Sequence, residues 1–407
     1  MPLHALSSVL IIYLYIGIYR LTVLIIYFHH ASGLGQLAIL PLEVLGIILL
    51  KAGGRNIRVI NRACKRLFDD VNTSLNISCS SDEDVDTLQD VGSLLGNIIR
   101  TNKAVVSVTV DGTMSHAGSV SSKRLLNVIF SSLAMLKGLH TLRILPKANI
   151  GPDGAASLAP ALMALTGLHT LELNHNNIGP GGAASLAPAL MLLTGLRDLN
   201  LGINYLGTAG LASLAPSLMA LTGLHTLVLS YNSMCAAAAA SLASSLMALT
   251  GLHELDLRYN GIGPAGAASL APSLMALTGL RKLDLCGNGM GPEGASSLAP
   301  SLMMLTGLQM LYLRRNHIGP EGAASLAPSL MMLTGLRFLN LDENGIGPAG
   351  AASLRSYLNQ LTGLHSLHLH SDNDSDYVSE SYSDNQYNDG FESDNVSDTD
   401  SDADVIW

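Results

Sequence analysis

The sequence predicts an α/β solenoid, a stack of short strand-and-helix units, and three observations carry that prediction. From residue 139 onward the chain repeats with a fixed step. Ile150, Ile178, Leu206, Met234, Ile262, Met290, Ile318 and Ile346 fall in one column, each 28 residues after the last. Periodicity of this length marks units that bury their apolar faces only by stacking on one another. Within each unit the apolar period changes from two residues to a helical spacing, so each unit holds one strand and one helix. Composition agrees: aromatics are 4% of the chain and glycines number 40, which suits many small, similar packing units better than one large irregular core.

Before the repeats lie three segments. Residues 1–30 hold an apolar leader whose run over 5–28 contains one charge, Arg20, and is long enough for a helical membrane span. Three readings stay open. A secretory signal would lack its basic start. A membrane anchor would be followed by Lys51, Arg55, Arg58, Arg62, Lys65 and Arg66, which would keep the body cytosolic. The third is a gene-model extension. Residues 37–72 read as two short helices. Pro41, after Leu40, suits a first turn with Val44, Leu45 and Ile48 on one side. After Gly53 and Gly54, the residues Ile57, Ile60, Cys64 and Leu67 recur at three- and four-residue steps on a basic stretch. Such helices cannot build a large core alone and need a partner surface. Residues 81–137 read as the cap of the solenoid. A helix carries Val85, Leu88, Val91, Leu95 and Ile99 on one face, Val106, Val108 and Val110 alternate as a strand, and a helix runs from Leu125 to Leu136.

The repeats fill residues 138–370. In the unit beginning at Leu168, Leu171 and Leu173 point inward from a strand. Leu186, Leu190 and Leu193 follow at helical spacing, and Thr194-Gly195 closes the helix. The recurring Pro160, Pro188, Pro216, Pro272, Pro300 and Pro328 predict that each regular helix begins near the Ser-Leu-Ala-Pro segment, because proline is tolerated in a first turn and not beyond it. The Asn column, from Asn176 to Asn344, is read as structural: a short amide at a strand end satisfies turn backbone. This pattern resembles the leucine-rich-repeat family, in particular its ribonuclease-inhibitor-like class. The resemblance implies a curved parallel sheet inside and helices outside.

The copies differ mainly in three outward strand columns, which share the concave face of such a solenoid. There Met310, Tyr312 and Phe338 form an apolar patch flanked by Arg258, Arg314 and Arg315, next to a strip with Asp198, Glu254, Asp256 and Asp284. Aromatic and Arg side chains anchor protein interfaces, so these residues are the candidate target-binding set. A second row (His140, His169, Arg197, His225, His253, Arg281, Gln309, Arg337, His365) reads as a hydrated cationic edge rather than a metal site, since Arg interrupts it.

The tail, residues 371–407, carries twelve Asp and Glu and no Lys or Arg, so the rest of a chain with net charge −9 is left at +3. The tail is too polar to order itself. Nothing in the body forms a nucleic-acid footprint. Four cysteines without a CxxC pair point to a reducing compartment, cytoplasmic or nuclear, or to a cytosolic body behind the anchor. No nucleophile elbow, phosphate loop or carboxylate cluster recurs, so no catalytic residue, metal or cofactor is assigned.

Leu40-Pro41, Glu43, Ile48 and the ending Asn61-x-x-Cys64-Lys65-Arg66-Leu67 resemble the F-box family. Ile48 stands seven residues and Cys64 23 residues after Pro41, as in that family's signature, with Leu67 in place of the usual aromatic. An F-box followed by leucine-rich repeats is a recurring architecture. The resemblance implies a non-catalytic substrate receptor of a cullin-RING (SCF-type) ubiquitin ligase. Leu40, Pro41, Val44, Leu45, Ile48, Ile60, Cys64 and Leu67 would hold a Skp-type adaptor, a cullin scaffold would lie beyond it, and the concave face would take a target protein. The alternative is a binding scaffold without a ligase role, or a regulator similar to the Ran GTPase-activating proteins, which share a solenoid and an acidic tail.

Overall fold

The computed structural model describes residues 9–15, 23–29, 73–80, 105–113 and 120–369. The F-box-like segment, the cap helix expected around Val85–Ile99 and the acidic tail lie outside the described residues.

Thirteen strands of the described residues form one sheet. The first three are β1 (Val9–Tyr15), β2 (Val23–His29) and β3 (Thr73–Ser80), followed by β4 (Val105–Thr113). β1 and β2 pair antiparallel, with Val9 opposite His29, and β1 then pairs parallel with β3. The leader thus differs from the helical span that its apolar length suggested. Its two halves, VLIIYLY and VLIIYFH, are rich in β-branched and aromatic residues, which fit a pleated surface better than a helix. Among the described residues no helix is long and apolar enough to cross a membrane. In the cap, β4 buries Val108 and Val110 as their alternation requires, and helix α1 (Val120–Leu133) follows it.

From here strand and helix alternate. The order is β5 (Thr141–Ile144), α2 (Gly151–Ala164), β6 (Thr170–Glu172), α3 (Gly179–Leu190), β7 (Asp198–Asn200), α4 (Gly207–Ala220) and β8 (Thr226–Val228). It continues through α5 (Ala236–Ala248), β9 (Glu254–Asp256), α6 (Gly263–Ala276), β10 (Lys282–Asp284) and α7 (Gly291–Met304). The last elements are β11 (Met310–Tyr312), α8 (Gly319–Met331), β12 (Phe338–Asn340), α9 (Gly347–Leu358) and β13 (Ser366–His368). From β3 to β13 every neighbouring pair is parallel. Register never slips in the repeats: Leu171, Leu199, Leu227, Leu255, Leu283, Leu311 and Leu339 line up and are fully buried. Leu367 ends that row at 39% exposure, because no further coil covers it among the described residues. Curvature follows from two spacings. Strands sit about 4.8 Å apart, whereas packed helices need about 8–10 Å, so a stack of such units bends with its sheet on the inner side.

The helices begin earlier than the proline column suggested. Most start at the Gly-Pro pair, and α4 and α5 start at the matching Gly207-Thr208 and Ala236. Helix α2 has Pro152 in its first turn and runs through Pro160, which lies inside the helix. Pro188, Pro216, Pro272, Pro300 and Pro328 sit likewise inside their helices. All six are exposed, as are the residues four positions before them, whose carbonyls the prolines leave without an N–H. Water can therefore reach those carbonyls, and the usual penalty for proline in a helix interior is reduced. The position after the proline column, which holds Ser244 in one coil, locks neighbouring helices together. Ser217, Ser245, Ser273 and Ser301 each donate their hydroxyl to a carbonyl of the preceding helix at 2.7 Å. Close helix packing also explains a glycine: a Cβ on Gly322 would stand 3.0 Å from the Cα of Pro292.

Candidate protein-binding face

The face is set by the turn beneath it. Asn204 shows the pattern: its Nδ2 donates to the carbonyls of Leu173, Leu201 and Gly202 at 2.9, 3.0 and 3.1 Å. Its Oδ1 accepts from the backbone N–H groups of Asn176 and Ile178 at 3.0 and 3.4 Å. One buried amide therefore closes its own turn and ties it to the coil before, as the sequence reading held. The first member is the exception. Oδ1 of Asn176 is buried without a hydrogen-bond partner, because the coil before it carries a 3-10 turn over Pro146–Ala148, and the Ala148 N–H bonds its own Leu145 carbonyl.

Around each Asn the backbone passes through the left-handed region, for example at His175 (φ 57°) and Asn177 (φ 53°). Residues other than glycine adopt this at a cost of roughly 1 kcal/mol, so the turn pays that strain wherever a side chain is kept. The column just before Asn keeps one in most coils: His175, Ile203, Tyr231, Tyr259, Arg315 and Glu343 all have positive φ. Tyr231 and Tyr259 stack with ring centroids 4.6 Å apart. Tyr259 lies over Gly287, where an added Cβ would be 2.3 Å from its ring, and its hydroxyl is 3.4 Å from Nη1 of Arg315. Arg314 and Arg315 both donate to the carboxylate of Glu343, which holds Glu343 below the usual carboxylate range. Of this rim the sequence pointed only to Arg315, because the alternating strand positions end before it. Its signal was nonetheless visible, since this column varies between copies as much as the strand columns do.

On the sheet itself Met310, Tyr312 and Phe338 lie side by side. Tyr312 and Phe338 have centroids 4.7 Å apart, Phe338 and His368 are 5.2 Å apart, and the Tyr312 hydroxyl lies 3.7 Å from Sδ of Met310. All four residues are partly exposed. Arg314 stands two residues after Tyr312 and pairs with Glu343, whereas Arg258 belongs elsewhere, 3.4 Å from Asp256 and 4.0 Å from Asp284.

The acidic strip differs from its expected form. Asp256 and Asp284 are each only 6% exposed. Each accepts from the backbone N–H two residues further on, at 3.0 Å, as the amides of Asn200 and Asn340 do in the same column. Burial pushes the Asp256 carboxyl up to about 6, against the pull of Arg258. Glu254 pairs with Lys282 at 2.7 Å, and Asp198 accepts from the Thr170 hydroxyl at 3.2 Å. Asp256 and Asp284 hold the strand ends, Asp198 and Glu254 are engaged by side chains of neighbouring strands, and the open part of the face is the aromatic end. Cys286, in the same region, is buried, and burial raises its thiol well above the ordinary range, so it is inert. Among the described residues no group of three or more His, Cys, Asp or Glu side chains could hold a metal ion.

Residues 165–187, 249–271, 277–299, 308–327 and 334–354 match a family model described as "Leucine Rich repeat". A search of curated proteins returned no match. Among solved structures, an internalin from Listeria monocytogenes is similar over 76% of this chain and 92% of its own, with 17% identity and a TM-score of 0.36. TLR13, in the crystal structure of its complex with ssRNA13, is similar over 69% of this chain and 45% of its own, with 16% identity and a TM-score of 0.32. The repeat segments, the unbroken register of the strands and the helix in every coil together make the fold a leucine-rich-repeat solenoid.

Proposed function

We propose that the chain is a non-catalytic receptor that captures a protein partner on the C-terminal half of its concave sheet. The observation that carries this reading is the partly exposed cluster of Met310, Tyr312, Phe338 and His368. Its neighbours Arg314 and Arg315 are already oriented by Glu343. Large aromatics held at low conformational cost and bordered by Arg are what interface hot spots are made of. The finer reading is a ubiquitin-ligase substrate receptor, in which the F-box-like segment docks a Skp-type adaptor. It is supported by the spacing of Leu40-Pro41, Ile48 and Cys64, and helix-in-groove burial would supply its affinity.

Co-purification of the full chain with a Skp-type adaptor tests the finer reading. Wild type is expected to retain the adaptor, and the double change Leu40→Ala with Pro41→Ala is expected to lose it. No retention by wild type, or equal retention by both, removes the ligase role and leaves the receptor reading standing.

A further inference from the structure

The row from His140 to His365 runs along the sheet at the entrance to each strand. Each backbone N–H in it donates to the carbonyl of the preceding member at 2.7 to 2.9 Å, from His169 on His140 to His365 on Arg337. The row is therefore a continuous ridge with one side chain per coil. His140, Arg197, His225, Arg281, Arg337 and His365 are exposed. Imidazoles crowd one another on it: the rings of His140 and His169 are 4.9 Å apart, and those of His225 and His253 are 5.0 Å apart. Burial, together with these neighbours and Arg197 or Arg281, lowers the basicity of His169 and His253.

Among the described residues no carboxylate lies within ion-pair distance of Arg197, Arg281 or Arg337. This is the reverse of the concave face, where Arg258, Lys282, Arg314 and Arg315 are all paired. The triplet before each row position, Lys137-Gly138-Leu139 before His140 and Thr-Gly-Leu in the later coils, adds no acid. Three exposed arginines without an ion-pair partner give this edge a positive potential that an anionic ligand lowers.

We propose that this ridge is a second binding surface, a rail that takes an extended acidic polypeptide segment of a partner protein. Its shape favours a single narrow chain. Eight strand spacings of about 4.8 Å make a rail of about 38 Å, which matches about 11 residues of extended chain. Polypeptide is favoured over nucleic acid because the row is one side chain wide and carries three arginines, whereas a dense phosphate lattice demands a broad basic footprint.

The test is binding of a labelled oligoglutamate of about a dozen residues, matched to the rail length, to the full chain, with oligoglutamine as control. Binding is expected at low salt, with affinity falling at least about tenfold as ionic strength rises from about 0.01 M to about 0.15 M. The triple change Arg197→Gln, Arg281→Gln and Arg337→Gln should weaken binding by about tenfold or more at unchanged melting temperature, because the removed charges are exposed. The matching Lys triple should retain it. Should the Gln triple fail to fold, Arg281→Glu alone should show a smaller loss. The proposal is overturned if wild type does not bind oligoglutamate, if the charge-removing changes leave binding unaltered, or if oligothymidylate of equal length binds more tightly and loses affinity with the same changes.

Discussion

The Asn column and the outward strand columns are carried by the same coils and obey opposite rules. Every Asn from Asn204 to Asn316 bonds its backbone N–H to the Oδ1 of the next Asn, because its surroundings recur from coil to coil. The outward positions face solvent or a partner, and there the copies carry Met310, Tyr312 and Phe338 in some coils and Thr170 or Thr226 in others. Interior positions are fixed by what the next coil requires, and the face is free to be fixed by what binds it. The comparison also has an intermediate case in Asp256 and Asp284, which stand in an outward column and still do the work of the fold.

The largest effect separating the two regions is expected inside. Asn232→Ala removes three Nδ2 bonds and leaves the N–H groups of Asn204 and Leu206 buried without a partner. Such groups cost about 1–3 kcal/mol each, so chemical denaturation should show a loss of about 3–5 kcal/mol. Asn176→Ala should lose about 2 kcal/mol less, because the Oδ1 it deletes accepts no bond. Equal losses at the two positions would mean that the stacking bond contributes nothing.

The next effect tests the intermediate case. Asp256 in the folded chain titrates at about 6, above the ordinary ~3.9 of an aspartate. Between these values the folded protein holds a proton that the unfolded chain releases, so stability through this group falls as pH rises across that window and stays low above it. The penalty at pH 8 is about 2–3 kcal/mol. Asp256→Asn can keep the bond from the Arg258 N–H, as Asn200 keeps its own. It should therefore be more stable than wild type at pH 8 by about 2 kcal/mol and nearly equal to it at pH 4. The same difference at both pH values would show that burial of the charge is not the cause.

Much of this was legible in the sequence. The 28-residue step and the period switch predicted strand, helix and parallel stacking, and Leu171, Leu173, Leu186 and Leu190 are buried as the pattern required. Helix starts were misread because proline is judged by its position in a helix, while the deciding fact is whether the carbonyl it leaves faces water, which depends on packing. The role of the acidic column was hidden for a related reason. Alternation says which side of the sheet a residue takes, and nothing about whether its oxygen turns back to its own backbone. The rim residues Tyr231, Tyr259 and Glu343 lie past the end of the strand, where alternation no longer applies and a left-handed turn aims the side chain instead.

The central claim is that the aromatic end of the face serves a partner and not the fold. It is tested most directly by measuring thermal unfolding and affinity for the captured target on one preparation of the Tyr312→Ala, Phe338→Ala double variant. The account predicts a stability loss of only about 1–2 kcal/mol, the size of a half-exposed aromatic pair, together with at least a tenfold (about 1.4 kcal/mol) loss of affinity. Unchanged affinity, or a stability loss as large as that of Asn232→Ala, would contradict it.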